Sequence, residues 1–146
     1  RPYLCTRMPI VHITRRERFS AAHKLSRPEW SLEKNYATFG KCSNPNWHGH
    51  NYVLWVTVAG APDPETSFVT DLSELSRLIK VHVIDHLDHK NLDLDVPFMK
   101  GRYSSTENLA VAIWEQLEAP VKGLGVVLKT VKVEETENNY VEYHGE

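Results

Sequence analysis

The stretch HGHNYVLWVTVA, residues 48–59, decides the fold. Tyr52, Leu54, Val56 and Val58 fall on one parity and Val53 and Trp55 on the other, so His50 to Ala59 reads as a strand apolar on both faces. Such a strand is expected to be central in its sheet and covered on both sides. Upstream, Ile10 to His23 reads as a second strand, with Val11, Ile13, Phe19 and Ala21 on one parity and a charged middle at Arg15 to Arg18. Lys24 to Asn46 has no sustained period and contains Pro28, Gly40 and Pro45, which predicts a long loop with a short helical turn. Downstream, Gly60-Ala-Pro-Asp-Pro-Glu turns the chain, and Asp71 with Glu74 opens a helix whose stripe is Leu72, Leu75, Ile79, Val83 and Leu87. A second helix opens on a capping box from Ser104 to Glu107, carries Leu109, Ile113 and Leu117, and is expected to stop before Pro120. Val126 to Glu135 and Tyr140 to Tyr143 then form a hairpin around Glu137-Asn-Asn139. Strands, two helices and strands again predict an α+β fold, an antiparallel sheet with helices on one face.

The chain of 146 residues suits one domain, expected over residues 10–146, with residues 1–9 as a poorly ordered leader or an expression-derived segment. Seventeen basic against 19 acidic side chains leave no surplus to neutralise a phosphate backbone, which argues against nucleic acid as partner. No apolar run reaches the ~18 residues of a membrane span. Two cysteines, Cys5 and Cys42, exclude a disulfide scaffold and favour a reduced, cytoplasmic setting. Eight histidines are the compositional anomaly.

His48 and His50 lie two apart at the start of the central strand, so both imidazoles project to one face, and Gly49 leaves room beside them. His23 ends the first strand on the parity of Phe19 and Ala21, where strand pairing would bring it beside His48. Three imidazoles leave a fourth position open, the pattern of a catalytic zinc. A solvated strand-end pair is the plainer alternative. His82 and His86, with His89 near by, form a competing set on the first helix, and His12 and His144 read as isolated. Asp85, Asp88, Asp93 and Asp95 lack the fixed Gly and terminal Glu of a calcium loop and read as solvated. Cys42 stands in a Gly, Asn and Pro loop leading into the histidines, where a thiol can serve as base or nucleophile. Asp88-His89 offers it a proton relay. Glu135 continues the apolar parity of Val127, Val131 and Val133, a costly place for a carboxylate without a hydrogen-bonding partner.

Five segments in order, Phe-Ser-Ala-Ala-His23, Gly-Lys-Cys42-Ser-Asn-Pro-Asn-Trp-His48-Gly-His50-Asn-Tyr, Leu-Asp88-His89-Lys-Asn-Leu-Asp, Ser-Ser-Thr-Glu107-Asn and Glu135-Thr-Glu-Asn-Asn, resemble the 6-pyruvoyl-tetrahydropterin synthase family. The resemblance runs from about residue 13 to Glu146. It implies a tunnelling fold, a four-stranded antiparallel sheet with two helices, trimerised into a barrel and stacked as a homohexamer. It also implies conversion of 7,8-dihydroneopterin triphosphate to 6-pyruvoyl-tetrahydropterin with loss of triphosphate, a lyase step of tetrahydrobiopterin biosynthesis. His23, His48 and His50 would then hold Zn²⁺, Cys42 would be the base, and Asp88 with His89 from a neighbouring subunit would relay its proton. Glu135 would anchor the pterin, with a part in proton transfer left open, and Ser105, Thr106 and Glu107 would help to bind it. Trp47 stands where the family commonly has glycine. The sister 6-carboxy-tetrahydropterin synthase shares the zinc site, but its cysteine typically precedes His-Gly-His by three residues, whereas Ser43 to Trp47 make five here. A non-catalytic zinc- or pterin-binding module is the alternative from another class.

Overall fold

The computed structural model describes residues 7–146. Residues 1–6, and with them Cys5 and most of the expected leader, lie outside the described residues; residues 7–10 are exposed and in no regular element. In chain order the elements are β1 (Val11–His23), α1 (Leu32–Phe39), β2 (His48–Gly60), α2 (Leu72–Ile79), α3 (Asp85–Leu87), β3 (Lys90–Asn91), α4 (Thr106–Gly123), β4 (Val127–Thr136) and β5 (Asn139–Tyr143). A π turn over Lys80–Ile84 joins α2 to α3.

The α+β expectation holds, with five strands where four were expected, in the order β3-β1-β2-β4-β5. β1 and β2 pair antiparallel along their whole length, from Val11 opposite Gly60 to His23 opposite His48. The added strand, β3, runs parallel to Ala21 and Ala22 for two residues. Inward-facing Phe19, Tyr52, Leu54, Val56 and Val58 form one core with Leu75, Ile79, Val83 and Leu87 of the first helical segment and Leu109, Ile113 and Leu117 of α4. Both helical segments therefore pack on one face. Leu72, expected in the stripe, is 46% exposed. On the opposite face β2 is shielded by long cationic side chains, not by helices: the Arg16 guanidinium and the Lys132 ammonium lie 5.6 and 4.6 Å from the centre of the Trp55 ring. In the charged middle of β1, Glu17 faces inward and accepts hydrogen bonds from Ser76 (2.7 Å) and Arg15 (3.0 Å).

Four local expectations change. α1 replaces much of the predicted loop: it lacks an apolar stripe because it buries Asn35, whose amide bonds the backbone of Arg27 and Ser31. α4 continues through Pro120 to Gly123. A helical proline costs about 3 kcal/mol, and fully buried Val121 just beyond it offsets about 1.5–3 kcal/mol of that. Val127 is 58% exposed, because a bulge between the Thr130 and Leu128 pairings reverses the parity and turns Leu128 inward.

The fourth change bears on the site. The cap of α4 is Ser105, whose hydroxyl accepts from the Asn108 N–H at 3.2 Å, so the expected box from Ser104 to Glu107 does not form. Ser104 precedes the helix, and its carbonyl is free for another donor. Ser105→Ala is expected to cost about 1 kcal/mol and Glu107→Ala under about 0.5 kcal/mol; the denaturation midpoints of the two variants check the assignment.

Candidate metal centre

The β1–β2 register sets His23 directly opposite His48, and the two-residue period turns His50 to the same inward face. The three rings stand edge to face, with centroids 4.6 Å (His23–His48), 4.9 Å (His48–His50) and 5.0 Å (His23–His50) apart. One nitrogen from each lies within 4.8 Å of the others. His23 is 1% exposed, and its Nδ1 donates to the free Ser104 carbonyl at 2.7 Å. That bond sets the tautomer and leaves the Nε2 lone pair facing His50 Nε2, 3.1 Å away. Nδ1 of His48 is buried without a hydrogen-bond partner. Burial, then the neighbouring imidazoles, hold His48 below the ordinary histidine pKa; burial also lowers His50, with Glu135 opposing it. Three imidazoles in contact, one with an orphaned nitrogen, are the donor set a metal ion of zinc type takes. The residues fit such an ion.

Glu135 sits at the irregularity between β4 and β5, where Glu134 pairs with Tyr140 and Thr136 with Asn139. It keeps the inward parity of Val131 and Val133, and its Oε1 lies 3.3 Å from His50 Nε2. Thr106, at the first turn of α4, donates to Oε2. The carboxylate thus has the partners its position demands. Tyr52, read from the sequence only as core, also belongs to the site. Its ring stacks on Phe19 at 4.9 Å and meets His50 edge-on at 5.5 Å, and its hydroxyl is buried without a partner. Burial, with Glu135, Asp93 and Cys42 near by, pushes that hydroxyl pKa upward, so it remains a donor.

Cys42 is half-buried on the short turn Gly40–Ser43, whose position is tied to β1 by the Leu25 N–H donating to the Cys42 carbonyl at 2.8 Å. Burial and, secondarily, Glu135 raise its thiol pKa. Asp88 and His89 lie at the sheet edge, where His89 Nδ1 is 3.0 Å from Asp88 Oδ2 and the Ser20 N–H donates to Asp88 Oδ1 at 2.9 Å. The Ser20 N–H chiefly, and His89 after it, hold the Asp88 carboxyl below the usual range. Neither residue hydrogen-bonds Cys42 within the chain. Of the expected substrate-binding residues, Ser105 caps α4, Thr106 holds Glu135 and Glu107 is exposed. His82, His86 and His89 do not converge, and His86 packs against Phe98 instead. Asp93 and Asp95 spend their carboxylates on backbone N–H groups of Lys24 and Asn91.

An open cleft of about 760 Å³ is lined mostly by residues of the outward parity, Arg16, Arg18, Ser20, Asn51 and Glu134 among them, together with His50, Tyr52, Asp88 and Glu135. Trp47, at its φ of 61°, occupies a left-handed conformation that glycine adopts freely, which accounts physically for a glycine preference there. In the metal-free protein, Tyr52→Phe removes only an unpartnered hydroxyl and is expected to stabilise the fold by about 1 kcal/mol, read from urea unfolding.

The sequence profile of the family described as 6-pyruvoyl tetrahydropterin synthase matches residues 12–146. The human protein named 6-pyruvoyl tetrahydrobiopterin synthase is 49% identical over 136 residues, 93% of this chain and 92% of that one. The Dictyostelium discoideum protein of the same name is 47% identical over 136 residues, covering 93% of this chain and 97% of that one. The solved 6-pyruvoyl tetrahydropterin synthase of Caenorhabditis elegans superposes with a TM-score of 0.88 at 44% identity, over 96% of this chain and 99% of that one. A Wolinella succinogenes structure at 18% identity and TM-score 0.71, covering 94% and 99%, shares the fold alone. With the sheet, the histidine cluster and this likeness along almost its whole length, the chain belongs to the 6-pyruvoyl tetrahydropterin synthase family.

Proposed function

We propose that residues 10–146 form one catalytic domain, a zinc-dependent 6-pyruvoyl-tetrahydropterin synthase that converts 7,8-dihydroneopterin triphosphate to 6-pyruvoyl-tetrahydropterin in tetrahydrobiopterin biosynthesis. The observation that carries the reading is the convergence of His23, His48 and His50, with the Glu135 carboxylate against His50. The reaction expels inorganic triphosphate and moves two electrons from side chain to ring within one molecule, so it needs no external oxidant. A zinc ion on the three imidazoles supplies Lewis acidity toward the substrate's side-chain hydroxyls.

Cys42 takes the carbon-bound proton made acidic by that environment. Its raised pKa within one chain means that the thiol needs a cationic neighbour to ionise. Asp88 and His89 are the pair that would relay its proton, with the Asp88 carboxyl held below its usual range by the Ser20 N–H and His89 83% exposed on the sheet edge. The exposure of His89 at the sheet edge supports its service to a neighbouring subunit's Cys42. Glu135, preset by Thr106, would accept the paired N–H donors of the pterin ring, with Ser105 and Glu107 assigned to help bind it. The unpaired length of β1 beyond β3 and the outer edge of β5 are the free edges through which copies would close a barrel, six to an assembly. A working thiol suits the reducing cytoplasm. Among the described residues no helix is long and apolar enough to cross a membrane.

Product analysis with metal determination on one sample tests the reading: 6-pyruvoyl-tetrahydropterin and bound zinc are expected, whereas a carboxy-pterin with acetaldehyde would assign the sister activity. Cys42→Ala is expected to keep zinc and lose about 10²–10⁴-fold in turnover; unchanged turnover would remove it as base. His48→Ala is expected to empty the site, and full occupancy there would overturn the three-histidine centre. Mixing Cys42→Ala with His89→Ala protein under subunit exchange is expected to restore activity that neither has alone, and no recovery would overturn a shared site.

A further inference from the structure

Two of the three histidines are flanked by residues that meet on a single oxygen. The backbone N–H of Lys24, next after His23, and the indole N–H of Trp47, next before His48, both donate to Asp93 Oδ2 at 2.9 Å. The Lys24 ammonium lies 4.2 Å from the centre of the Trp47 ring and donates to the Pro45 carbonyl at 3.4 Å. Asp93 is itself placed by its own N–H on Asn91 Oδ1 at 2.9 Å, and the adjacent Leu92 N–H bonds the Ala22 carbonyl at 2.8 Å. The chain after β3 is therefore fastened to β1 on one side and reaches across to the Cys42–His48 loop on the other.

Trp47 holds a φ of 61°, a conformation that disfavours side chains with a Cβ, so this backbone persists only where contacts over-determine it. The Trp47 N–H donates to the Asn44 carbonyl at 3.2 Å, and the side-chain contacts are the Asp93 carboxylate and the Lys24 cation. We infer that Asp93, acting through Trp47 and the Lys24 N–H, is a positioning residue that fixes the approach of His23 and His48 to a bound metal. This role rests on the metal reading above and goes beyond it, since the loop before His48 is clamped by a carboxylate that is not itself a ligand. Groups that orient metal ligands commonly change affinity by about 10–100-fold when removed.

The test is release of zinc from the loaded wild-type protein into excess chelator, well below the melting temperature, compared with Trp47→Phe, Asp93→Ala and the double variant. Val121→Ala, buried at the far end of α4, serves as a control for lost stability alone. Trp47→Phe keeps a ring under Lys24 and removes only the indole donor, so it preserves folding if Asp93→Ala does not. Both single variants are expected to release zinc about tenfold faster than wild type, and Trp47→Phe is expected to add nothing in the Asp93→Ala background. Release from Trp47→Phe no faster than from Val121→Ala, or an undiminished effect of Trp47→Phe once Asp93 is gone, overturns the clamp. A wild-type protein that takes up no zinc overturns the metal reading itself, and the clamp with it.

Discussion

The antiparallel pairing of β1 with β2 is the constraint on which the rest depends. It sets His23 opposite His48 and turns both, with His50, to the side that carries the helices. A slip of one residue would send either strand's histidines to the cation-covered face, away from Ser104 and Glu135. The core resists that slip, because the same displacement would expose Tyr52, Leu54, Val56 and Val58 together. Burying one such side chain is worth about 1.5–3 kcal/mol. The histidine cluster is thus held in register by apolar residues, most of which never touch it.

The hydrogen bond from His23 to Ser104 is the second fixed point. A helix cap uses its own carbonyl for the first intrahelical bond, and here Leu109 N–H bonds the Ser105 carbonyl. With the cap at Ser105, the Ser104 carbonyl stands outside the helix ladder and accepts from His23 Nδ1 at 2.7 Å, so a detail of a helix end meets a buried imidazole at the end of β1.

Much of this was legible in the sequence because parity is a strong signal in long strands: Phe19, Ala21, His23, His48 and His50 all face as alternation predicts. The features that were not legible each have a physical reason. Val127 went to the wrong face because a bulge leaves no mark in a run of β-formers. Ser104 and Ser105 are chemically equivalent as caps, and only packing chooses between them. Pro120 ends helices on average, but buried Val121 beyond it offsets the loss. β3 is two residues long, below what any periodicity can register, yet it places Asp88 and His89. Tyr52 has the pattern of a core residue, and only its orphaned hydroxyl among Cys42, Asp93 and Glu135 marks it as part of the site.

The electrostatics of one chain also explain why it would gain from a neighbour. At the histidine cluster, burial favours neutral imidazoles, the form that binds a metal. At Cys42 burial favours the neutral thiol, whereas the base proposed there would need the thiolate. Solvation would ionise the thiol but would also admit water to the cleft. A cation brought in from outside lowers the thiol pKa without opening the site, and its effect grows as water is excluded. His89, exposed at the sheet edge beside an Asp88 carboxyl held below its usual range, is where a neighbouring chain could be met. Assembly of the proposed kind would supply charge and exclude solvent in one step, and would couple the acid–base chemistry of a small single sheet to its association.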